Sequence, residues 1–440
     1  MRYASAEVRK QFFIEMFTRD ISLEDCVLDL IDNSIDSYLL KNEISISQLI
    51  FGPDQSGAKR EPGRIDVTCN ERQIRVVDKC GGIPRKRAMD EIFCFGHDPG
   101  DQAGKLGAYG VGMKRALFKI GNKVDIVSRT AKEGFEVSLT IDDWAKEEGW
   151  SVPIKFVDGA TSERQAGTSI TISDLRKEVA LRIKEGGVPK NILDDAATTY
   201  PYFLDQCVKL RINDVDVPPK PISLGESDGV VKAAREKFDY NGVKVALAAT
   251  IAPGLRTSEE AGWNILCNGR AVVRANKDDL TGWGFDLASF QPKYRSFVGL
   301  ASFESDQPLS LPWTTTKRDI NRESGVFIHT RNLMVTMSKP ILTFLNSQYP
   351  SNPATEVGDI REAVEGVKAV SFREIASKPP AGFSYTPPRK KEKRTDWVRF
   401  QAPIALLDKV RRHLRRPSLT PSDIGKHTLE HFVKTECGTD

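Results

Sequence analysis

Hydrophobic and polar positions follow two different periods along the chain, and each period predicts one kind of element. Between Ser22 and Lys41 apolar residues recur every three to four positions, which predicts an amphipathic helix. Ser22 followed by Asp25 is a capping-box pattern and places the start of this helix. Near Ile74 and Val76 the period shortens to two, which predicts a strand that runs up to Asp78. Residues 167–175 predict a second strand of this kind.

The polar side of the predicted helix is unusually acidic. At 100° per residue, one stripe about 100° wide collects Asp25, Asp29, Asp32, Asn33 and Asp36. The apolar residues gather on a face centred about 130° away. Taken alone, this pattern favours an amphipathic helix whose acidic face meets solvent, and a functional role needs support from other segments.

Glycine-rich segments supply that support. Gly81 and Gly82 predict a tight turn directly after the first strand. Further along, three glycines precede a predicted helix over 113–120: Gly107, Gly110 and Gly112. A glycine-rich loop that leads into a helix N-terminus offers unpaired N–H groups and a favourable dipole to a phosphate, with Lys114 close by.

Length and composition limit the class of protein. A chain of 440 residues exceeds one ordinary core, so two or three domains are expected. No apolar run approaches the roughly 18 residues that span a bilayer, and the first residues lack a signal sequence. The seven cysteines contain no C-x-x-C pair. We therefore expect a cytoplasmic protein without membrane contact or disulfide framework.

Charge is unevenly distributed. Residues 389–440 contain 13 Lys and Arg against 7 Asp and Glu, whereas the first 388 residues contain 51 against 53. A basic tail on a slightly acidic body suggests a polyanionic partner for the tail. A solvated tail that keeps the protein soluble is an equally good interpretation.

In their order along the chain, the acidic helix with DLIDNSIDS, the Asp78–Gly82 turn, the loop in GKLGAYGVGMK and the strand GTSITISDL resemble the GHKL ATPases. This superfamily includes gyrase B, the heat-shock chaperone ATPases, histidine kinases and MutL. The resemblance covers roughly residues 10 to 180 and is strongest to microrchidia-type ATPases. It implies an α+β fold with a Bergerat-type α/β sandwich over residues 1–185 that binds ATP and Mg²⁺.

The resemblance assigns roles on the acidic helix. Asn33 matches the residue that coordinates Mg²⁺ through its side-chain carbonyl. Asp29 stands where the family has a glutamate that activates the attacking water. Because aspartate is one methylene shorter, its reach to that water is reduced and we expect slow turnover. The alternative for Asp29 is a structural or second-shell carboxylate.

The resemblance also places the nucleotide. Asp78 matches the acceptor of the adenine amino group, with a turn-forming aspartate as the alternative, and Thr168 matches a threonine that supports adenine recognition or is an ordinary strand-edge residue. Cys80 replaces a glycine of the family pattern, so a positive φ there would be strained. Residues 95–105 correspond to a mobile lid or to a plain surface loop. The remaining expected nucleotide contacts are Gly82, Ile83, Lys105, Gly107, Gly110, Val111, Gly112, Met113 and Lys114.

Residues 186–375 are rich in strand-like runs and resemble the transducer-like (S5-type) α/β domain of gyrase B, MutL and microrchidia proteins. The resemblance rests on the CNGRAVV run, residues 267–273, and on the LPWTTTKRDINRES loop, residues 311–324. In those families a lysine of this domain reaches the γ-phosphate. Lys317 is the candidate here, and Arg318 is its rival.

The end of the chain predicts a linker over 376–396 and a basic module over 397–440. The module reads as a strand over 397–402, a helix over 404–416 and a helix over about 421–434 that begins after Thr420. This arrangement resembles a ribbon-helix-helix module, in which Arg399 and Gln401 would face DNA. A helical dimerisation tail is the alternative.

Together these observations predict an Mg²⁺-dependent ATPase. ATP would close the lid, engage Lys317 and favour a homodimer that clamps or remodels DNA. By analogy, the protein would work with partner proteins in a larger system such as a bacterial defence complex. A non-hydrolysing, ATP-gated protein-interaction module is the alternative, since Asp29 and Cys80 both depart from the family pattern.

Overall fold

The computed structural model describes residues 8–51, 60–94, 106–107, 110–254, 256–347, 366–386, 398–399 and 401–437. The chain divides into two compact units, Met1–Pro388 and Arg389–Asp440. This division falls at the position where the charge of the sequence changes from slightly acidic to basic. Among the described residues, no helix combines the length and apolar character that a membrane span requires.

The first layer of the larger unit is an eight-stranded sheet. Its strands are β1 (Gly63–Cys69), β2 (Gln73–Asp78), β3 (Gly121–Arg129), β4 (Glu133–Thr140), β5 (Lys155–Asp158), β6 (Gly167–Leu175), β7 (Val208–Ile212) and β8 (Val215–Asp216). Their order across the sheet is β5-β4-β3-β6-β2-β1-β7-β8. Neighbours are antiparallel except for β1 and β7, which are parallel. The predicted strands at 74–78 and 167–175 are thereby confirmed as β2 and β6.

Nine helices accompany this first sheet in the described part of the chain. They are α1 (Lys10–Arg19), α2 (Leu23–Lys41), α3 (Ile46–Phe51), α4 (Arg85–Arg87, followed by a π turn over Ala88–Ile92), α5 (Gly112–Ile120), α6 (Ile141–Trp144), α7 (Lys177–Lys184), α8 (Val188–Thr199) and α9 (Pro201–Gln206). The predicted start of α2 is confirmed, because the Ser22 hydroxyl accepts a hydrogen bond from the Asp25 amide at 3.0 Å. Helix α2 is buried on nearly all sides, with Val27, Leu28 and Ile31 completely inaccessible.

The second layer contains a five-stranded sheet. Its strands are β11 (Ala234–Tyr240), β12 (Val243–Ile251), β13 (Gly262–Cys267), β14 (Arg270–Asn276) and β15 (Phe297–Glu304), in the order β11-β12-β15-β13-β14. Strand β14 begins inside the CNGRAVV run, and the long helix α10 (Gly325–Ser347) packs against β12. Two short strand pairs complete the unit: β9 (Leu224–Glu226) with β16 (Lys368–Val370), and β10 (Val231–Lys232) with β17 (Ser384–Tyr385).

Two predicted boundaries differ from the structure. Strand β7 pairs with β1, so residues 208–212 belong to the first sheet and not to the predicted second domain. Residues 376–386 are not a free linker, because β17 pairs with β10 and the Arg235 amide donates to the Ala381 carbonyl at 2.8 Å. The linker was predicted from composition alone. The prediction failed because proline and serine are also compatible with an edge strand that pairs with a distant segment. Residues 387–396 lie outside the described residues.

The small C-terminal unit contains α12 (Ile404–Leu414) and α13 (Pro421–Glu436), preceded in the larger unit by α11 (Phe372–Ser377). The predicted helix start at Thr420 is confirmed: its side chain accepts from the Asp423 amide, and the Asp423 carboxylate accepts from the Thr420 amide. The predicted strand over 397–402 stays a prediction, because its described residues, 398–399 and 401–402, pair with no described segment of this chain, whereas the ribbon of such a module pairs with a second chain. Arg399 and Gln401 are exposed in this segment.

Candidate functional site

A cleft of about 1080 Å³ opens over α2 at the edge of the first sheet. It is lined from α2, β2, β6 and α5, and by Thr315 and Lys317 from the loop after the second sheet. Eleven of the fourteen predicted catalytic and nucleotide-binding residues line it: Asp29, Asn33, Asp78, Ile83, Gly107, Gly110, Val111, Gly112, Met113, Thr168 and Lys317. Segments that are far apart in the sequence thus meet at one site.

Helix α5 approaches α2 so closely that a glycine is required at the crossing. A Cβ atom on Gly112 would lie 2.9 Å from both Cγ and Oδ2 of Asp29. Contacts this short are essentially never made by real side chains, so any larger residue would displace α5 or Asp29. The glycine therefore brings the N-terminus of α5 against the candidate base.

Asp29 is buried and holds two cations. Its Oδ2 accepts from Arg115 Nη2 at 3.1 Å, and its Oδ1 lies 3.4 Å from Lys317 Nζ. Arg115 also donates to the Thr315 carbonyl at 3.2 Å, which links α5 to the loop that carries Lys317. Asp29 is therefore one of the points where side chains join the first sheet and its helices to the loop after the second sheet.

Asp36 holds the loop that precedes α5. Its two carboxylate oxygens accept from the amides of Leu106 and Gly107 at 2.7 and 2.8 Å. Burial raises the pKa of Asp36 to about 6, although both amides favour the charged form. Asp36 therefore stabilises the loop that leads into α5.

Asp78 anchors the far end of the cleft. Its Oδ1 accepts from the amides of Cys80 and Thr168 at 2.9 and 3.2 Å, and its Oδ2 accepts from the Ser34 hydroxyl at 3.0 Å. Burial raises the pKa of Asp78 to about 6, so the carboxylate is charged and able to accept at neutral pH. The Thr168 hydroxyl lies 2.9 Å from that of Ser128, which accepts from the Ile83 amide at 2.8 Å.

The turn after Asp78 carries no strain at Cys80. Cys80 is not among the described residues with positive φ, whereas Gly81 and Gly82 have φ of 117° and 73°. The positive angles thus fall on glycines, and Cys80 does not carry the strain that a positive φ would cause. Gly82 packs against the Arg129 carbonyl, which a Cβ atom would approach to 2.2 Å, and it does not line the cleft.

Lys114 is directed away from the cleft. Its ammonium donates to the carbonyls of Cys94 and Gly110, and burial lowers its pKa to about 8. A lysine next to a glycine loop is a common phosphate ligand, but here α5 turns its neighbour Arg115 toward Asp29 instead. Lys105 and the predicted lid at 95–105 lie outside the described residues.

Asn33 lies one turn beyond Asp29 and has an unmatched polar atom. Its buried Nδ2 has no hydrogen-bond partner among the described residues, and the buried Nε of Arg115 also has none there. Such atoms indicate a polar ligand in the cleft. The described residues contain no cluster of three or more His, Cys, Asp or Glu side chains suited to a metal ion. The side-chain oxygen of Asn33 is of the chemical kind that Mg²⁺ prefers as a ligand.

The structure separates Lys317 from its rival. Lys317 is buried at the cleft, whereas Arg318 contacts Asp25 and, at 3.1 Å, Asp195. Burial alone would lower the pKa of Lys317, but the Asp32 and Asp29 carboxylates raise it above its usual value. Arg115 was not identified as a site residue from the sequence. The polar contacts of Asp32 were not identified either, because the position of Asp32 in the acidic stripe does not indicate which distant residues it contacts.

The comparisons with known proteins fall on the same segment. Residues 21–168 match the family model of histidine kinase-, DNA gyrase B- and HSP90-like ATPases. A search of curated proteins gave no significant match to the chain. The matched segment runs from just before α2 to the Thr168 that contacts Asp78, and so contains most of the cleft. Over residues 21–168 the sequence is therefore similar to the GHKL superfamily of ATPases.

Proposed function

We propose that the cleft binds ATP together with Mg²⁺ and that the protein hydrolyses it slowly. The observation that carries this proposal is the meeting of Asn33, Asp78, the α5 glycine loop and Lys317 around one cavity in a domain of this superfamily. The cleft has the few converging polar groups that are typical of a small-molecule site.

Each end of the cleft suits one end of the nucleotide. The charged Asp78 carboxylate accepts from the adenine amino group, and Thr168 holds that carboxylate in place. The N-terminus of α5 presents unpaired amides to the phosphates. Asn33 holds Mg²⁺, which supplies positive charge that stabilises the phosphates during transfer.

The contacts of Asp29 account for slow turnover. A carboxylate whose two oxygens are occupied by Arg115 and Lys317 is not free to orient an attacking water. When Lys317 moves to the terminal phosphate, Oδ1 of Asp29 becomes available to orient the attacking water. Binding of the triphosphate therefore frees the carboxylate that orients the water for hydrolysis.

The proposed output is an ATP-gated homodimer that clamps or remodels DNA. The support for a nucleic-acid partner is the excess of basic residues in 389–440, which coincides with a separate structural unit. The two ion pairs of Asp29 favour a second candidate, a module that binds ATP and changes partner without hydrolysis.

Binding is tested by calorimetric titration with ATP and Mg²⁺. Asn33→Ala should abolish Mg²⁺-dependent binding, because it removes the side-chain ligand of the metal. Asn42→Ala is the matched control, since Asn42 caps the same helix outside the cleft. Undiminished affinity of Asn33→Ala would overturn the site.

Hydrolysis is tested by phosphate release from the full chain. Asp29→Ala should lower the rate by about 10² while ATP still binds, the usual effect of losing a general base. Asp90→Ala removes an exposed carboxylate outside the cleft and should be without effect. Equal, measurable release by wild type and Asp29→Ala would show that another group positions the water, whereas no release by wild type with ATP bound would establish the non-hydrolysing module instead.

A further inference from the structure

A buried polar cluster lies behind the cleft and has no role in the proposed reaction. At its centre is Asp32, which has no exposed surface. Its Oδ1 accepts from Tyr200 Oη at 2.6 Å and from Arg270 Nε at 3.1 Å, and its Oδ2 accepts from Lys317 Nζ at 2.6 Å. None of Asp32, Tyr200 and Arg270 lines the cleft. The cluster reaches the cleft only through Lys317.

Arg270 fixes the backbone of the same lysine. Its Nη1 donates to the Lys317 carbonyl at 2.7 Å, and the Lys317 amide donates to the Thr314 carbonyl at 2.9 Å. Lys317 has φ of 54°, an unusual angle for a residue with a side chain. The main chain of Lys317 is therefore held while its ammonium rests between two carboxylates.

The charges of the cluster allow the ammonium to leave. Asp29 and Asp32 face three cations, Arg115, Arg270 and Lys317, so one positive charge is in excess. If Lys317 moves to a phosphate, Asp32 keeps Arg270 and Tyr200, and Asp29 keeps Arg115. Neither carboxylate is left buried and unpaired, which would cost several kcal/mol.

We propose that Asp32 is a positioning residue that competes with the terminal phosphate of the nucleotide for the Lys317 ammonium, and that Tyr200 and Arg270 set the strength of this competition. The inference rests on the proposed function, in which Lys317 contacts that phosphate. A nucleoside triphosphate must displace the ammonium from Asp32, whereas a diphosphate leaves it in place. The cluster thereby sets the ratio of ATP affinity to ADP affinity.

One variant that strengthens the hold of Asp32 on Lys317 and one that weakens it should move the ratio of ATP affinity to ADP affinity in opposite directions. Tyr200→Phe removes a donor, so Asp32 holds Lys317 more tightly and ATP affinity should fall about fivefold, the equivalent of one hydrogen bond. Asp32→Asn replaces the carboxylate by a weaker acceptor, so ATP affinity should rise relative to ADP. Tyr202→Phe, which changes a nearby tyrosine outside the cluster, is the matched control. A purely structural cluster would give losses for both variants and no dependence on Lys317.

Calorimetric affinities for Mg–ATP and Mg–ADP are measured on the full chain for wild type, Tyr200→Phe, Lys317→Met and their combination. We expect Tyr200→Phe to lower the ATP:ADP ratio in wild type and to leave it unchanged in Lys317→Met. Two outcomes would overturn the inference and leave the proposed function intact. In the first, Tyr200→Phe lowers the ATP:ADP ratio in Lys317→Met as well. In the second, Lys317→Met lowers the ratio but Tyr200→Phe has no effect in wild type. An unchanged ratio in Lys317→Met overturns the inference together with the phosphate contact of the proposed function. If Asp32→Asn does not fold, because Arg270 is left unpaired, the Tyr200→Phe series decides.

Discussion

Each of the four aspartates on the acidic stripe of α2 bonds to a residue outside α2. These bonds explain how a buried helix can carry so many carboxylates. Asp25 contacts Arg318, Asp29 contacts Arg115 and Lys317, Asp32 contacts Tyr200, Arg270 and Lys317, and Asp36 accepts from the amides of residues 106 and 107. A solvent-facing stripe, the alternative that the pattern alone favoured, is therefore wrong. A buried carboxylate without such partners would be strongly unfavourable.

At the same scale, Gly112 is expected to tolerate no side chain. Gly112→Ala would place a Cβ 2.9 Å from Asp29 Cγ, so α5 or Asp29 must move, at a cost of about 1–3 kcal/mol. We expect a folded protein that has lost most of its ATP binding and hydrolysis. Gly382→Ala is the control, because nothing lies within 4 Å of the added atom. The measurement is ATP titration beside a thermal melt, and wild-type affinity in Gly112→Ala would show that the crossing is not tight.

At the scale of elements, β15 ends in a carboxyl group that the packing of the second layer buries. Glu304 is 3% exposed, and its Oε2 has no hydrogen-bond partner among the described residues. Burial raises the pKa of Glu304 to about 8, with only a partial offset from the hydroxyls of Ser47 and Ser302. At neutral pH this side chain is therefore mainly protonated.

The raised pKa predicts how stability depends on pH. A carboxyl group with a raised pKa in the folded state favours folding fully below its usual value of 4.5, and this contribution is lost as pH rises toward about 8. Glu304→Gln mimics the protonated form, so it should gain stability over wild type between pH 5 and pH 9, on the order of a few kcal/mol at about 1.4 kcal/mol per pKa unit. Urea unfolding at several pH values measures this. The exposed Glu259→Gln should show no such difference, and parallel pH curves for wild type and Glu304→Gln would show that Glu304 is charged throughout.

At the scale of the whole molecule, the two units differ in how they are stabilised. The unit up to Pro388 has extensive cores in both layers. In the described part of the other unit, Ile424 is the one buried hydrophobic residue, and Leu429, Phe432 and Val433 are exposed on α13. The apolar positions of α13 follow helical spacing, which is the pattern of a surface that packs against another chain.

Removal of the C-terminal unit should separate ATP chemistry from DNA binding. A chain that ends at Pro388 is expected to keep its ATP hydrolysis and to lose salt-sensitive binding to duplex DNA. In the full chain, about six phosphate contacts would weaken binding on the order of 10³-fold between about 50 and 200 mM salt. Arg399→Ala should lower affinity only slightly, since it removes one of the 13 basic side chains in residues 389–440. Unchanged binding by the truncated chain would move the DNA contact to the ATPase body.

Local signals determined much of the fold in advance. The Ser22 cap, the alternation before Asp78, the glycine pairs and the Thr420 capping box each act within a few residues, so α2, β2, β6, α5 and α13 could be predicted from the sequence. The superfamily followed from the order of these motifs, and residues 21–168 confirm it. The strand over 397–402 stays a prediction, because its pairing needs a neighbouring strand from a second chain and no local pattern supplies one.

The contacts around the cleft were decided only by the tertiary structure. Lys317 and Asp32 are 285 residues apart in the chain, and Arg270 and Asp32 are 238 apart, so no local pattern could pair them. The direction of Lys114 and Arg115 depends on how α5 crosses α2 at Gly112, and the boundary at 208–212 depends on the pairing of β7 with β1. The sequence determined which residues could bind a nucleotide, because each motif is local. Which carboxylate holds which cation was decided by the packing of α5 and of the second layer on α2, because charges in a buried site pair with whatever the fold brings within reach.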